Sequence, residues 1–227
     1  MADFARQRQS MVDSQLKTNE VTDRRILSAM AELPRERFVP QRMSLLAYID
    51  ESVEVFPSRD GAPARYLLPP LALARLVQLA SIEPHDKVLD VGCATGYSTA
   101  LLARLAGSVI GLEPEPELAS AARRLLGELS AANATIVEGA LAEGAAREGP
   151  FDVILFNGSL EVVPDTLLSQ LREGGRLVAI VASGANKASL GRAYLFVKAA
   201  GETSGLPHFD AGAKPLPGFS RARTFAF

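Results

Sequence analysis

This sequence has almost no cysteine, no tryptophan and no long apolar run. The 227 residues include one cysteine, Cys93, and no tryptophan. A single cysteine permits no intramolecular disulfide, which fits a reducing compartment, so we expect a cytoplasmic protein. No run approaches the roughly 18 apolar residues that span a bilayer, and the polar start of the chain does not resemble a secretory signal. We therefore expect no membrane partner.

An excess of charge of either sign is also absent. The chain has 24 lysines and arginines against 26 aspartates and glutamates, a net charge of −2. This balance argues against nonspecific electrostatic binding of nucleic acid, so no nucleic-acid partner is expected. The 48% content of hydrophobic residues predicts a sizeable core in one α/β domain. No feature of the sequence specifies an oligomeric state.

One stretch of the chain, Lys87–Glu113, has the pattern of a βαβ unit. Its apolar and polar residues predict, in order, a buried strand at 88–91, a glycine turn at 92–96, a helix at 97–105 and a strand at 108–112. Backbone N–H groups at such a turn face a ligand, and glycine lets that ligand approach the main chain. Glu113, about 20 residues after the first glycine, can accept both hydroxyls of a ribose.

The glycine spacing separates two classes of ligand. A dinucleotide site needs G-x-G-x-x-G, whereas Gly92, Ala94 and Gly96 form G-x-A-x-G, which argues against a nicotinamide oxidoreductase. The pattern acid-x-G-x-x-x-G from Asp90 instead resembles the first motif of S-adenosylmethionine-dependent methyltransferases. A βαβ turn that binds no ligand is the remaining alternative.

The resemblance to these methyltransferases implies a cofactor site for S-adenosylmethionine. The glycines would line the methionine part of the cofactor and Glu113 would hold the ribose. Asn157 follows a predicted strand at the sheet edge where ligands bind, although it could be a turn residue. Cys93 lacks a nearby base and is better explained as a small turn residue than as a nucleophile. The implied cofactor-binding set is Asp90, Gly92, Cys93, Gly96, Glu113, Pro114, Gly139, Ala140 and Asn157.

A second resemblance, in Met11–Pro40, is more specific. This segment resembles the N-terminal signature of protein-L-isoaspartate O-methyltransferases, and the likeness extends to about Val181. The matching residues are Met11, Val12, Gln15, Leu16, Asp23, Leu27, Ala29, Met30, Pro34, Arg35, Phe38, Val39 and Pro40. The resemblance implies a protein-repair enzyme that methylates isoaspartyl carboxylates of damaged proteins. The expected partners are therefore proteins or peptides that contain isoaspartyl residues.

The sequence departs from that family at the positions nearest the chemistry. The substrate loop of the family carries a threonine and a serine, which fall here on Arg65 and Leu67. We assign both as substrate-binding residues, since Arg65 could hold a substrate carboxylate by a bidentate pair, although it could equally be a solvated loop residue. The aspartate with which the family contacts adenine falls on Ala140. These departures leave open a methyltransferase for another acceptor, or a relative that does not catalyse.

The expected architecture is a Rossmann-like, doubly wound, mainly parallel α/β sheet with an N-terminal helical extension. We divide one methyltransferase domain, 1–227, into the extension (1–50), an irregular substrate and cofactor loop (51–70) and an α/β core (71–227). Other expected helices cover 1–16, 24–33, 70–81, 114–129 and 164–171. Other expected strands cover 134–137, 151–156 and 193–198, with an exposed loop at 184–188 and an edge strand at 221–227.

Methyl transfer to a carboxylate makes few demands on catalytic side chains. The carboxylate is already ionised at pH 7, so the enzyme needs positioning and exclusion of water rather than a strong base. The absence of a visible catalytic dyad is therefore compatible with catalysis. No residue is assigned a catalytic role, and no metal is expected.

Overall fold

A seven-stranded sheet forms the centre of the structure, a computed structural model that describes residues 3–59, 61–182 and 190–221. Its order is β5-β4-β3-β6-β7-β8-β9, with parallel pairs from β5 to β7 and antiparallel pairs beyond. The expected mainly parallel, doubly wound class is confirmed. In chain order the strands are β1 (Val53–Phe56), β2 (Arg65–Leu67), β3 (Lys87–Val91), β4 (Ser108–Glu113), β5 (Ala134–Glu138), β6 (Phe151–Leu160), β7 (Leu171–Ala182), β8 (Gly191–Ala199) and β9 (Glu202–Ala211).

The described residues form six α-helices beside this sheet. Asp23 caps the second by accepting a hydrogen bond from the Arg25 backbone N–H, and Pro70 occupies the first turn of the third, where its missing N–H costs nothing. None of the described helices is long and apolar enough to cross a membrane. The helices are α1 (Phe4–Met11), α2 (Arg24–Glu32), α3 (Pro70–Ala80), α4 (Tyr97–Leu102), α5 (Pro116–Glu128) and α6 (Asp165–Ser169). A π-helix (Val12–Leu16) and a 3-10 helix (Lys17–Asn19) extend α1.

The core has two apolar clusters, one on each face of the sheet. Val88 and Leu89 are neighbours on β3 and belong to different clusters, as the alternation of side chains along a strand requires. The first cluster includes buried residues of α1, α2 and α3, so the N-terminal extension packs on the sheet rather than standing apart. β3 and β6 are buried along almost their whole length, and burial on both faces explains the unbroken apolar run over 153–156 in β6.

Several predictions of local structure differ from the observed elements. The helix expected over 164–171 spans Asp165–Ser169, and Leu171 already belongs to β7. The helix expected over 97–105 ends at Leu102. The strand expected over 151–156 continues to Leu160, because Ser159 and Leu160 pair with Ile180 and Val181 of β7. The loop expected to be irregular over 51–70 contains the antiparallel hairpin β1–β2, whose Val53 pairs with Leu67. The expected loop at 184–188 and most of the edge strand at 221–227 lie outside the described residues.

Residues 211–221, which we call the strap, cross the end of β6. The Ser159 N–H donates to the Lys214 carbonyl and the Leu216 N–H donates to the Ser159 carbonyl, each at 2.9 Å. Phe219 is buried and meets Phe156 edge to face, with ring centroids 5.3 Å apart. Backbone hydrogen bonds and an aromatic anchor therefore attach the strap to the edge of the sheet where ligands bind in open α/β folds.

We expect Phe219→Ala to destabilise the protein by about 3–5 kcal/mol, because it deletes a buried aromatic side chain and leaves a cavity. Leu206→Ala is the matched control, since Leu206 is exposed on β9 and its loss is expected to change stability by less than about 0.5 kcal/mol. Urea unfolding followed by circular dichroism measures both. Equal, small effects would show that the strap is not held as described.

Candidate active site

The turn between β3 and α4 contains three residues with left-handed backbone. Gly92, Ala94 and Gly96 have φ values of +75°, +49° and +90°. The Gly92 N–H donates to the Leu112 carbonyl and the Gly96 N–H donates to the Cys93 carbonyl, both at 2.8 Å. Glycine adopts this conformation freely, whereas an alanine does so only under strain. Ala94 is therefore held in place by its surroundings.

Asp90 lies beneath this turn and is fully buried. Its Oδ2 accepts hydrogen bonds from the Ser98 and Thr99 hydroxyls, each at 2.7 Å, and its Oδ1 accepts one from Asn157 Nδ2 at 2.6 Å. Burial raises the pKa of the Asp90 carboxyl, and the three donors oppose that rise.

Two members of the predicted cofactor set thus bind each other. Asn157 Nδ2 also donates to the Val91 carbonyl at 3.2 Å, so the amide joins β6 to β3. The Asp90 oxygens accept hydrogen bonds from Ser98, Thr99 and Asn157, and a direct contact of Asp90 with the cofactor stays a prediction. The contact of Asn157 with a cofactor stays a prediction.

Glu113 ends β4 with its carboxylate beside the glycine turn, where the sequence predicts a ribose ligand. Its side chain has no exposed surface. One oxygen, Oε2, accepts from the Ala94 N–H at 2.8 Å, and the other, Oε1, accepts from the Glu115 N–H at 3.2 Å. Burial raises the pKa of the Glu113 carboxyl, while the neighbouring Arg65 guanidinium and these N–H donors act against the rise.

Arg65, on β2, provides the remaining contact of Glu113. Its Nη1 donates to Glu113 Oε1 at 2.5 Å and its Nη2 donates to the Gly92 carbonyl at 3.1 Å. The Arg65 side chain is 4% exposed, so the alternative of a solvated loop residue is wrong. The guanidinium binds a carboxylate of its own chain in this conformation, and its contact with a substrate carboxylate stays a prediction.

Little space remains above the turn. A Cβ atom added to Gly92 would lie 2.8 Å from Leu216 Cδ1 and 3.0 Å from Arg65 Nη2. The strap and β2 therefore both pack closely against this glycine. A cavity beside the turn, lined in part by Leu67 and Asn157, measures about 10 Å³. Sites for small ligands measure roughly 300–1,000 Å³. This cavity alone is therefore too small to hold S-adenosylmethionine.

The other end of the predicted cofactor site is open. Pro114 and Ala140 are exposed, and the Gly139 N–H lies 3.4 Å from the Glu113 carbonyl. The methyl group of Ala140 offers no hydrogen bond to an adenine. Contacts with a base at this end would therefore come from the backbone.

Arg35 is the site residue that the sequence reasoning missed. It is fully buried, and its Nε and Nη2 donate to the carbonyls of Ala47 and Leu68, each at 2.7 Å. Its guanidinium carbon lies 4.6 Å from the centre of the Tyr97 ring. Arg35 thus joins the N-terminal extension to the substrate loop and to α4. Its place in the family-like segment 34–40 was the available signal.

A second cavity, of about 340 Å³, lies between the residues before α3 and the strap. Its charged lining residues include Asp50, Arg75, Asp210 and Lys214. Neither histidine of the chain belongs to either cavity, and both are exposed. Among residues 3–59, 61–182 and 190–221, no group of three metal-ligating side chains is found.

We expect Ala94→Gly to stabilise the protein by up to about 1 kcal/mol. Glycine relieves the strain of the left-handed backbone, but it also raises the conformational entropy of the unfolded chain, which offsets part of the stabilisation. Ala121→Gly on α5 is the matched control, expected to destabilise by about 1 kcal/mol since its backbone is helical. Chemical unfolding of the two variants measures these opposite signs. Destabilisation by Ala94→Gly would contradict the strained turn.

The Cys93 thiol is expected to be inert in the folded protein. Burial, followed by the carboxylates of Asp90 and Glu113, raises the pKa of this thiol well above its ordinary value, and the thiolate is the reactive form. An aromatic disulfide reagent at pH 8 should react with the native protein at least about 100-fold more slowly than with the urea-unfolded chain. Comparable rates would show that Cys93 is accessible.

Comparisons with known proteins agree with the resemblance. Residues 6–202 match the family model described as protein-L-isoaspartate(D-aspartate) O-methyltransferase (PCMT). A protein-L-isoaspartate O-methyltransferase of Koribacter versatilis is 38% identical over 97% of this chain and 96% of its own length. One from Anaeromyxobacter dehalogenans is 40% identical over 70% of this chain and 73% of its own.

Solved structures share the fold. One protein-L-isoaspartate O-methyltransferase superposes with a TM-score of 0.77 at 24% identity, over 94% of this chain and 66% of its own. A Plasmodium falciparum protein of the same description, in complex with S-adenosyl-L-homocysteine, superposes with a TM-score of 0.73 at 22% identity, over 91% of this chain and 96% of its own. The family match and the identity to its members establish that this chain belongs to the protein-L-isoaspartate(D-aspartate) O-methyltransferase family.

Proposed function

We propose that this protein is an S-adenosylmethionine-dependent methyltransferase that methylates isoaspartyl carboxylates of damaged proteins. One observation carries the proposal: the family model matches residues 6–202, and within that range Glu113 ends β4 beside the glycine turn. A carboxylate in that position is suited to the two hydroxyls of a ribose. The cofactor would supply a methyl group on a sulfonium.

The remaining chemistry requires positioning by the chain's own residues. An isoaspartyl carboxylate is ionised at neutral pH, so no general base is needed, and neither histidine borders the two cavities. Holding two reactants in line can be worth roughly 7–11 kcal/mol. Glu113 and the turn would hold one reactant, and the elements that surround them would exclude water.

A protein acceptor needs an open surface, which the 340 Å³ cavity beside the strap offers. Its lining carries two cations, Arg75 and Lys214, that can attract a carboxylate, and three anions, Asp50, Glu51 and Asp210. Arg75 is engaged with Glu20 at 3.4 Å and lies over the Phe209 ring, which leaves Lys214 as the more available cation for an acceptor. We propose that the acceptor enters here.

The place of action follows from the same reasoning. We propose a cytoplasmic protein, since the single cysteine is buried within the turn and permits no intramolecular disulfide. The nearly balanced charge supports a peptide rather than a nucleic-acid acceptor.

The test uses two synthetic peptides that differ only in an isoaspartyl or an aspartyl linkage. With labelled S-adenosylmethionine, we expect a base-labile methyl ester on the isoaspartyl peptide only. Glu113→Ala should lower kcat/KM by about 100-fold or more, because it removes charge-assisted hydrogen bonds worth about 1.5–3 kcal/mol each.

Glu128→Ala is the control for that variant, since Glu128 is an exposed residue of α5 that pairs with Arg124 and Arg37. It should leave methylation unchanged. Equal labelling of both peptides would point to a different acceptor, and no ester on either peptide would overturn the proposal.

A further inference from the structure

We propose that Arg65 is an internal latch: its guanidinium occupies the Glu113 carboxylate that would hold the cofactor ribose, and the cofactor binds only when Arg65 is displaced. This inference rests on the proposed use of S-adenosylmethionine. It concerns a residue at which this chain departs from the family-like loop, where a threonine is expected.

The first reason is the number of donors already on Glu113. Oε1 accepts from Arg65 and from the Glu115 N–H, and Oε2 accepts from the Ala94 N–H. A carboxylate accepts about four hydrogen bonds, and two ribose hydroxyls would bring the total to five. The two backbone donors belong to the turn and the end of β4, so the Arg65 contact is the one that a ribose must replace.

The second reason is steric. Arg65 Nη2 lies 3.1 Å from the Gly92 carbonyl, above the glycine that the cofactor would have to approach. Leu216 of the strap covers the same glycine, as the distance of 2.8 Å from an added Cβ shows. The Lys214 ammonium lies 5.8 Å from the Tyr66 ring, so the strap also touches β2 next to Arg65. Arg65 on β2 and Leu216 of the strap therefore both cover Gly92.

The third reason is that the pair is protected from solvent. The Arg65 side chain is 4% exposed and that of Glu113 is not exposed at all, so water and salt screen their attraction much less than that of an exposed pair. Other arginine–carboxylate pairs on the same hairpin are exposed, such as Arg59 with Glu117. Only a ligand that offers Glu113 comparable hydrogen bonds can compete with Arg65.

A latch of this kind lowers the apparent affinity for the cofactor in proportion to the closed population. When only a small fraction of the protein molecules is in the state that binds the ligand, the apparent dissociation constant is the intrinsic one divided by that fraction. If the open form is a tenth or less, removing the latch tightens binding about 10-fold or more.

The test is calorimetric titration of the full chain with S-adenosyl-L-homocysteine. Arg65→Thr, which removes the guanidinium, should bind at least about 10-fold more tightly than the unaltered protein. Arg59→Thr is the matched control: it removes an arginine from the same hairpin whose ion pair is exposed, and it should bind like the unaltered protein. Circular dichroism melting verifies that each variant is folded.

Equal dissociation constants for Arg65→Thr and the unaltered protein would overturn the latch. Absence of binding to folded Arg65→Thr up to millimolar ligand would overturn it as well, because another feature would then exclude the cofactor. If Arg65→Thr does not fold, amide hydrogen exchange of the unaltered protein decides. Saturating ligand should speed exchange in β2, and unchanged or slower exchange there contradicts displacement of Arg65.

Failure of the latch and failure of the proposed function are distinguishable. Tight binding to Arg65→Thr without methyl ester on the isoaspartyl peptide supports the latch and overturns the function. Methylation by the unaltered protein, with a dissociation constant equal to that of Arg65→Thr, supports the function and overturns the latch.

Discussion

The ion pair between Arg65 and Glu113 is the interaction on which the rest of the site depends. A buried charge without a partner costs several kcal/mol, so each of these groups requires the other as long as the site stays closed. The pair fastens the hairpin β1–β2 to the end of β4 and to the glycine turn. The strap then packs on the same turn through Leu216. The closed site is thus the product of one electrostatic contact and one apolar contact that meet at Gly92.

The family-like N-terminal segment packs against both the substrate loop and the glycine turn. Arg35 connects this segment to the residues at 47 and 68, and the Thr95 hydroxyl donates to the Phe38 carbonyl at 2.6 Å. These contacts brace the glycine turn against the N-terminal extension. The departures from the family, by contrast, concentrate on the ligand side, at Arg65, Leu67 and Ala140. The scaffold of the family therefore remains, while these three residues of the predicted site differ from the family-like pattern.

The sequence was a good guide to the scaffold and a poor one to the state of the site. The βαβ unit, the mainly parallel sheet and the cap at Asp23 were predictable, because periodicity and capping are local properties. The burial of Arg65 was not, since an arginine in a loop rich in proline and glycine is usually solvated, and its partner lies 48 residues away. The role of Leu216 was equally hidden, because no periodicity marks a strap whose backbone pairs with Ser159. Both failures come from contacts between segments distant along the chain.

A double-mutant cycle on Arg65 and Glu113 tests the central claim most directly. The free energy of unfolding would be measured for the unaltered protein, Arg65→Thr, Glu113→Gln and the double variant. A buried, mutually dependent pair predicts that each single change is strongly destabilising and that the double change costs less than their sum, with a coupling of about 1–3 kcal/mol. Additive effects within about 0.5 kcal/mol would mean that the two groups do not hold each other, and the closed site would need another cause.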